Sequence, residues 1–296
     1  MPELPDITVY VEALAARVVG GGARLMAIEF RTPFVLRSVD PPPGEVEGRE
    51  VTGVRRMGKR IVLALAGDLS VVMHLMIAGR LRWRDAGAKM PRGHILATLR
   101  FPRGTLVLTE AGTTRRASIH LVRGAEGVQA LDRGGLEPLE AGRDDFATRL
   151  TSEVHTLKRA LTDPRLFSGI GNAYSDEILH RARLSPLART SSLSADEITR
   201  LHEATRSTLL EWTDRLRAEA GDGFPENVTA FREGMAVHGR YRLPCPACGA
   251  PVQRIRYAAN ETNYCARCQT GGRLLADRAL SRLLRQDWPR SLDEVE

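Results

Sequence analysis

The residues best suited to covalent chemistry stand at the second and third positions of the chain, Pro2 and Glu3. Once Met1 is removed, Pro2 carries a free secondary amine. An α-amino group titrates at about 7.7–8.0, roughly two units below a lysine, so more of it is a nucleophile at neutral pH. A secondary amine can attack the anomeric carbon of a sugar and form an iminium, which acidifies the neighbouring C–H and permits elimination. Glu3 sits beside it, where a carboxyl group can carry protons to the sugar and from the amine.

Lys59 lies in RRMGKRIVL, just before an apolar run. It is either an exposed basic turn or a point charge for a phosphate. His74 and Arg80 flank LMIAG, a turn between apolar stretches, and His74 is either a satisfied core histidine or a hydrogen-bond donor to a phosphate or the chain backbone. In LFSGIGNAYSDEIL, Gly169 and Gly171 allow close backbone approach, Asn172 offers an amide, and the following helix start presents free N–H groups, a seat for phosphate.

All four cysteines fall in CPAC at 245–248 and CARC at 265–268. Two C-x2-C knuckles at this spacing put two soft thiolates each on one tetrahedral ion, which predicts a zinc site made of Cys245, Cys248, Cys265 and Cys268. A pair of disulfides is the competing reading. Four thiolates leave no open coordination position, so the expected zinc is structural. The intervening VQRIRYAANETNY reads as a β-hairpin with Val252, Ile255 and Tyr257 packing and a turn near Asn260.

These groups need elements to hold them. A first helix is expected from Asp6 to Val19, capped by Asp6 and ended by Gly20, Gly21 and Gly22. β-rich runs follow near 25–30, 51–56, 60–66, 70–75, 94–101 and 105–109, with a loop at Pro41, Pro42, Pro43 and Gly44. RLRWR sets Arg80, Arg82 and Arg84 against Leu81 and Trp83, so a strand there shows three guanidinium groups on one face, either solvated or touching phosphate. After Arg133, Gly134 and Gly135 the pattern turns helical, from about 144 to 218, and AGDGFPEN at 220–227 is a second loop. Beyond the last knuckle, RLLADRALSRLLR reads as an amphipathic helix with Arg278, Arg282 and Arg285 opposite Ala276, Ala279, Leu280, Leu283 and Leu284.

A net charge of +7 and a pI near 9.7 favour a polyanionic partner. No apolar window approaches the roughly eighteen residues of a membrane span, and the N-terminus has no leader pattern. A cytoplasmic, reducing setting is the expectation, with a nucleoid association in a prokaryote.

Taken together, PELPD at 2–6, GKR at 58–60, HLMIAGRLR at 74–82, LEPL at 136–139, the run from Lys158 through Leu161 and Asp163 to GIGNAYSDEIL, HGR at 238–240 and the four cysteines are a specific combination. The chain resembles the formamidopyrimidine-DNA glycosylase and endonuclease VIII superfamily over about 2–270. The resemblance implies a multidomain α+β protein: an N-terminal β-sandwich with a helix at 1–133, a helix–two-turn–helix domain at 134–232, a zinc ribbon at 233–270, and here a basic tail at 271–296. It implies action on damaged double-stranded DNA in base excision repair, as a glycosylase and AP lyase that removes oxidised or ring-opened bases and cuts by β/δ-elimination; a single cleft suffices for this chemistry, so a monomer is the expectation. Endonuclease VIII-like preference for oxidised pyrimidines or bulky lesions is one alternative, and a non-catalytic lesion-binding protein another. Carried across, Pro2 is the Schiff-base nucleophile and Glu3 the proton-transfer acid. Lys59 and Asn172 hold backbone phosphates, Lys158 contacts DNA, and His74 precedes the intercalating turn.

The chain departs from that pattern in three places. The family's Met-Ser-Gly turn is replaced by Met76, Ile77, Ala78 and Gly79, so Ile77 or Met76 is expected to fill the space of a flipped base. Asp-Pro-Arg-Arg-Phe-Gly is replaced by EAGTTRRAS. Arg115 or Arg116 then faces the orphaned base, with Ala117 near the place of the wedge Phe. The arginine at the ribbon turn is replaced by Asn260, which keeps a hydrogen bond to phosphate and loses the charge.

Overall fold

The structure, a computed structural model, describes every residue except 92, 112–114, 227, 258–259, 277–289 and 295–296, and gives the backbone alone for 257, 260 and 293. The expected amphipathic tail helix falls mostly on 277–289, outside the described residues. The chain forms two compact units, Met1–Arg133 with Trp212–Thr229, and Gly134–Glu211 with Ala230–Glu296.

In the first unit, helix α1 (Leu4–Val18) starts two residues earlier than the sequence pattern suggested. Glu3, not Asp6, is the N-cap. Asp6 is the third helical residue, its carboxylate accepts the Glu3 N–H at 2.8 Å, and the two form a reciprocal capping box. Pro5 fits the first turn because its missing N–H has no partner there in any helix. Ile7, Tyr10, Leu14 and Val18 turn inward from α1.

The strands are β1 (Ala27–Phe30), then, after a one-turn helix α2 (Pro43–Val46), β2 (Val51–Met57), β3 (Arg60–Leu65), β4 (Leu69–His74), β5 (Gly79–Asp85), β6 (Ile95–Phe101), β7 (Gly104–Glu110) and β8 (Ser118–Arg123). They make two antiparallel four-stranded sheets, β1-β6-β7-β5 and β2-β3-β4-β8. One core draws Ile61, Leu63, Val71, Met73, Ile119 and Leu121 from one sheet and Leu81, Leu96, Leu99, Leu106 and Leu108 from the other, so the unit is a β-sandwich. Strand β8 is absent from the sequence expectation. Its alternation, with Ile119 and Leu121 buried between less buried Ser118, His120 and Val122, is the period-two signal of a half-covered strand. Behind the second sheet, helix α3 (Gly124–Gln129) brings Val128 onto Val62, Val72 and Met57.

The stretch Trp212–Thr229 groups with this unit. Phe224 packs against Tyr10 and Trp83 at ring separations of 5.6 and 6.5 Å, and Arg217 pairs with Glu12 at 2.6 Å.

The second unit contains α4 (Arg143–Thr151), α5 (Leu157–Thr162), α6 (Asn172–Arg181) and most of the long α7 (Ala195–Ala220), which the sequence pattern anticipated as a helical region. Phe146 and Phe167, both fully buried, meet at 4.7 Å between ring centres. The antiparallel hairpin β9 (Gln253–Tyr257) and β10 (Asn260–Tyr264) and the short helix α8 (Ala266–Thr270) carry the cysteines. Val252, Ile255 and Tyr264 form the ribbon core with Val237, Leu275 and Leu292. The chain returns to this core near its end: Leu274 N–H bonds Arg290 O at 2.9 Å and Leu292 N–H bonds Gly272 O at 3.0 Å. No described helix is long and apolar enough to cross a membrane.

Candidate active site and nucleic-acid interface

The capping box holds the N-terminus in place. Pro2 and Glu3 are both buried, Glu3 at 2% exposure. Burial pushes the α-amino group, here on Met1, below its ordinary value of 8.0; Glu3 and Asp6 pull it back up, while Arg80 and Lys59 push it further down. A larger neutral fraction at neutral pH is a stronger nucleophile. These interactions also put Glu3 and Lys59 around the amine.

Lys59 stands at the tip of the β2–β3 hairpin, a two-residue turn closed by the Met57–Arg60 pair. Gly58 takes φ +58° there, a conformation that favours glycine. His74 ends β4 opposite Arg60 on one side and Ser118 on the other. Burial, with Arg60 and Lys59 close by, lowers its pKa to about 4, so the ring is neutral across the physiological range.

The turn after His74 is tightly specified. Gly79 N–H bonds Leu75 O at 2.9 Å, and a Cβ on Gly79 would lie 2.2 Å from that oxygen. Met76 takes φ +52° and is half-buried, whereas Ile77 projects with 58% of its surface exposed. Of the two candidates for the space of a flipped base, Ile77 has the free reach. In β5 the alternation read from RLRWR is observed, Leu81 and Trp83 being buried. Its arginines are engaged within the unit, however. Arg82 and Arg84 both pair with Glu226, and Arg80 donates to the carbonyls of Val228 and Gly79.

Arg115 and Arg116 are exposed, next to the undescribed 112–114. The buried Glu110 carboxylate accepts the N–H groups of Arg116 at 2.9 Å and Ala117 at 3.1 Å. Glu110 was not among the sequence candidates; its only signal was an acidic residue at the start of EAGTTRRAS.

In the second unit, Gly169 takes φ +79° and Gly171 caps α6, as the glycine spacing suggested. Asn172 donates its side-chain amide to Glu261 O at 2.8 Å, so it braces the ribbon hairpin. Lys158 donates to Asn172 O at 2.7 Å and pairs with the buried Asp176 at 2.5 Å. Asp176 also meets His238 Nδ1 at 2.8 Å and accepts Asn263 N–H at 3.1 Å. Glu177 accepts three backbone N–H groups, from Ala236, Val237 and His238, at 2.7–3.0 Å. Asp176 and Glu177 went unread in the sequence, where SDEIL looks like an ordinary helical surface. Asn260 opens β10 opposite Tyr257; its side chain lies outside the described residues.

The four cysteine sulfurs lie within 4.8 Å of one another, with Cys248–Cys265 at 3.4 Å and Cys245–Cys268 at 3.9 Å. A tetrahedron with bonds of about 2.3 Å to zinc has edges of roughly 3.8 Å. The set fits one zinc ion and fits poorly with separate disulfides inside each knuckle. His180 Nε2 lies 3.2 Å from Cys245 Sγ and orients that ligand.

A β-sandwich that buries Pro2 and Glu3 at the start of the chain, and a helical unit bearing a four-cysteine ribbon, define a multidomain zinc-ribbon class of protein. Three family models match in order: the formamidopyrimidine-DNA glycosylase N-terminal domain at residues 1–117, the H2TH domain of the same glycosylase at 135–215, and a zinc finger found in FPG and IleRS at 242–271. The formamidopyrimidine-DNA glycosylase of Thermus thermophilus is 34% identical over 92% of this chain and all of its own length. An uncharacterised formamidopyrimidine-DNA glycosylase-like protein of Mycobacterium tuberculosis is 44% identical over 51% of this chain and 94% of its own. The chain therefore belongs to the formamidopyrimidine-DNA glycosylase family. Among solved structures, the MutM (Fpg) protein from Thermus thermophilus matches with a TM-score of 0.76 at 34% identity, covering 90% of this chain and 98% of that one. The Lactococcus lactis Fpg in complex with abasic-site DNA shares the fold, with a TM-score of 0.79 at 24% identity over 90% of this chain and 99% of its own.

Proposed function

We propose that this protein is a base-excision-repair DNA glycosylase that also acts as an AP lyase, with the Pro2 amine as nucleophile once Met1 is removed. The observation that carries the reading is the buried Pro2–Glu3 start of the chain, fixed by the Glu3–Asp6 capping box, with Lys59 and Arg80 near enough to act on the Met1 amine one residue before Pro2. The amine attacks C1′ of the damaged nucleotide, the C1′–base bond breaks, and the departing base takes up a proton. Glu3 exchanges protons with the sugar and the amine, and Lys59 holds the flanking phosphate. The C1′–O4′ bond opens as O4′ takes a proton, giving the iminium, which loses the C2′ proton and expels the 3′ phosphate. Loss of the C4′ proton expels the 5′ phosphate and leaves a one-nucleotide gap.

The substrate class is oxidised or ring-opened bases in duplex DNA. Ile77 fills the space that the flipped nucleotide leaves, and Arg115 or Arg116 meets the orphaned base. Asn172 and Lys158 act on DNA through the position they give to the helix start and the ribbon hairpin, Asn260 lying at the tip of that hairpin. The zinc holds the ribbon and takes no part in the chemistry.

Borohydride trapping on duplex DNA with an abasic site tests this. A covalent adduct that falls strongly in Pro2→Gly and Glu3→Gln is the expected result. Absence of an adduct from protein lacking Met1, with DNA binding intact, overturns the catalytic assignment and leaves lesion binding alone.

A further inference from the structure

The sheet β2-β3-β4-β8 carries, on the face turned away from the sandwich core, polar groups that the chemistry above leaves unused. Ile61, Leu63, Met73, Ile119 and Leu121 point into the core. Their strand neighbours Arg60, His74 and His120 therefore point the other way. Register brings them together: Arg60 lies opposite His74, and His120 is two residues along β8 from Ser118, the partner of His74. The row crosses three strands, about 10 Å. Lys59 stands at one end of it.

Arg37 and Arg133 join this cluster from the rim. Burial and then Arg133 lower the Arg60 guanidinium; burial, then Arg60 and Arg37, lower His120; and both Arg60 and Arg133 act on His74. Asp132 is the carboxylate that acts on Arg60 in the opposite sense. Nε of Arg60 and Nδ1 of His120 are buried with no hydrogen-bond partner among the described residues. Several basic groups with one carboxylate, Asp132, among them, and with two buried nitrogens unpartnered, are an arrangement that a bound anion completes.

We propose that Arg60 and His120, with Arg37 and Arg133 at the rim, form a second phosphate subsite that takes a backbone phosphodiester of the bound DNA strand, next to the phosphate held by Lys59. This rests on the reading of Lys59 as a phosphate ligand. The two core groups contribute differently. Arg60 brings a charge and releases a counterion on binding, whereas the neutral His120 ring supplies a hydrogen bond and no charge.

The test is fluorescence anisotropy of a labelled duplex carrying an abasic-site analogue, with zinc-loaded full-length protein, over about 50–200 mM salt. Measured in a Pro2→Gly background, it does not depend on the amine chemistry, so failure of the catalytic reading and failure of the subsite are told apart. Arg60→Gln should weaken binding about tenfold and lower the slope of log K against log salt by about 0.9, while Arg60→Lys keeps the slope. His120→Ala should weaken binding by roughly threefold at neutral pH with the slope unchanged. Arg133→Gln, on the exposed rim, should lower the slope by a smaller amount and serves if Arg60→Gln does not fold. Wild-type affinity and slope in Arg60→Gln, or in Arg133→Gln where only that variant folds, overturn the proposal. So does inorganic phosphate binding that is lost in the variants while their DNA affinity and salt slope stay at wild type, which would make the cluster a site for free phosphate only.

Discussion

Replacing Asp176 by Asn removes one charge from a place where solvent cannot compensate. The Asp176 side chain is fully buried, and that of its partner Lys158 is only 12% exposed. The substitution keeps the shape and the acceptor for His238 and Asn263, so the main loss is the counter-ion of the Lys158 ammonium. Breaking a buried pair from one side costs about 3–5 kcal/mol, because the remaining charge stays buried. For a unit of this size each kcal/mol shifts the midpoint by roughly 2–4 °C, which predicts a fall of about 10 °C in the melting of the zinc-loaded protein. The double variant Asp176→Asn, Lys158→Met removes both charges and should recover most of that loss, since paired removal is far milder than single removal. Circular dichroism melts of the four proteins close the cycle. A shift below about 2 °C in Asp176→Asn, or a double variant no better than the single one, refutes the argument that this buried pair ties α5 to α6.

Three further outcomes follow from the geometry. Protein purified without added metal should contain one zinc per chain by elemental analysis, and Cys265→Ser should lose that zinc together with the cooperative melting of the ribbon; a full equivalent retained in the variant would contradict the four-thiolate site. His74, with a folded pKa of about 4 against an ordinary 6.5, takes up its proton in the unfolded chain first. Its contribution to stability is thus complete above pH 6.5 and lost as pH falls toward 4, by about 1–3 kcal/mol, so urea midpoints should fall less steeply over that window in His74→Gln. Ile77→Ala removes a mostly exposed side chain and should change stability by no more than about 0.5 kcal/mol. Adduct formation on a base-paired lesion should nonetheless slow while that on a single-stranded abasic site does not, and equal slowing on both would remove Ile77 from the wedge role.

Much of this was legible in the sequence because the signals were local. Two C-x2-C pairs specify a tetrahedral site whatever the fold around them, and the alternation in RLRWR survives intact in β5. The early glycines end α1 as expected, although its start was misplaced, since the choice between Glu3 and Asp6 depends on a reciprocal hydrogen bond that either order of acidic residues permits. What was not legible depends on partners distant in sequence. Glu226 takes up Arg82 and Arg84 from more than a hundred residues away, and nothing in the strand itself distinguishes a paired guanidinium from a solvated one. For Lys158 and Asn172, expected to contact DNA, the sequence does not show the partners they have within the chain, Asp176 for one and the ribbon hairpin for the other. Strand β8 was missed because it is short and half its side chains are polar.

The EAGTTRRAS departure reads differently once the register is known. Gly79 pairs with Glu110, and His74 pairs with Ser118, so the Met76–Ala78 turn and the 111–117 loop leave neighbouring ends of the sandwich. The Glu110 carboxylate fixes the far side of that loop by its hold on the Arg116 and Ala117 amides. Ala117 is itself buried, at 3% exposure, and so works as an anchor where an aromatic wedge would have to project. Under the proposed function the apolar reach into an opened duplex falls to Ile77 on the adjacent turn, and the exposed Arg115 and Arg116 are left for the orphaned base. An arginine reads a base edge by hydrogen bonds, whereas an aromatic wedge acts by stacking. The proposed function thus divides the two tasks between two backbone segments, each held by its own contacts: Gly79 on Leu75 for the wedge, and Glu110 on two amides for the arginines.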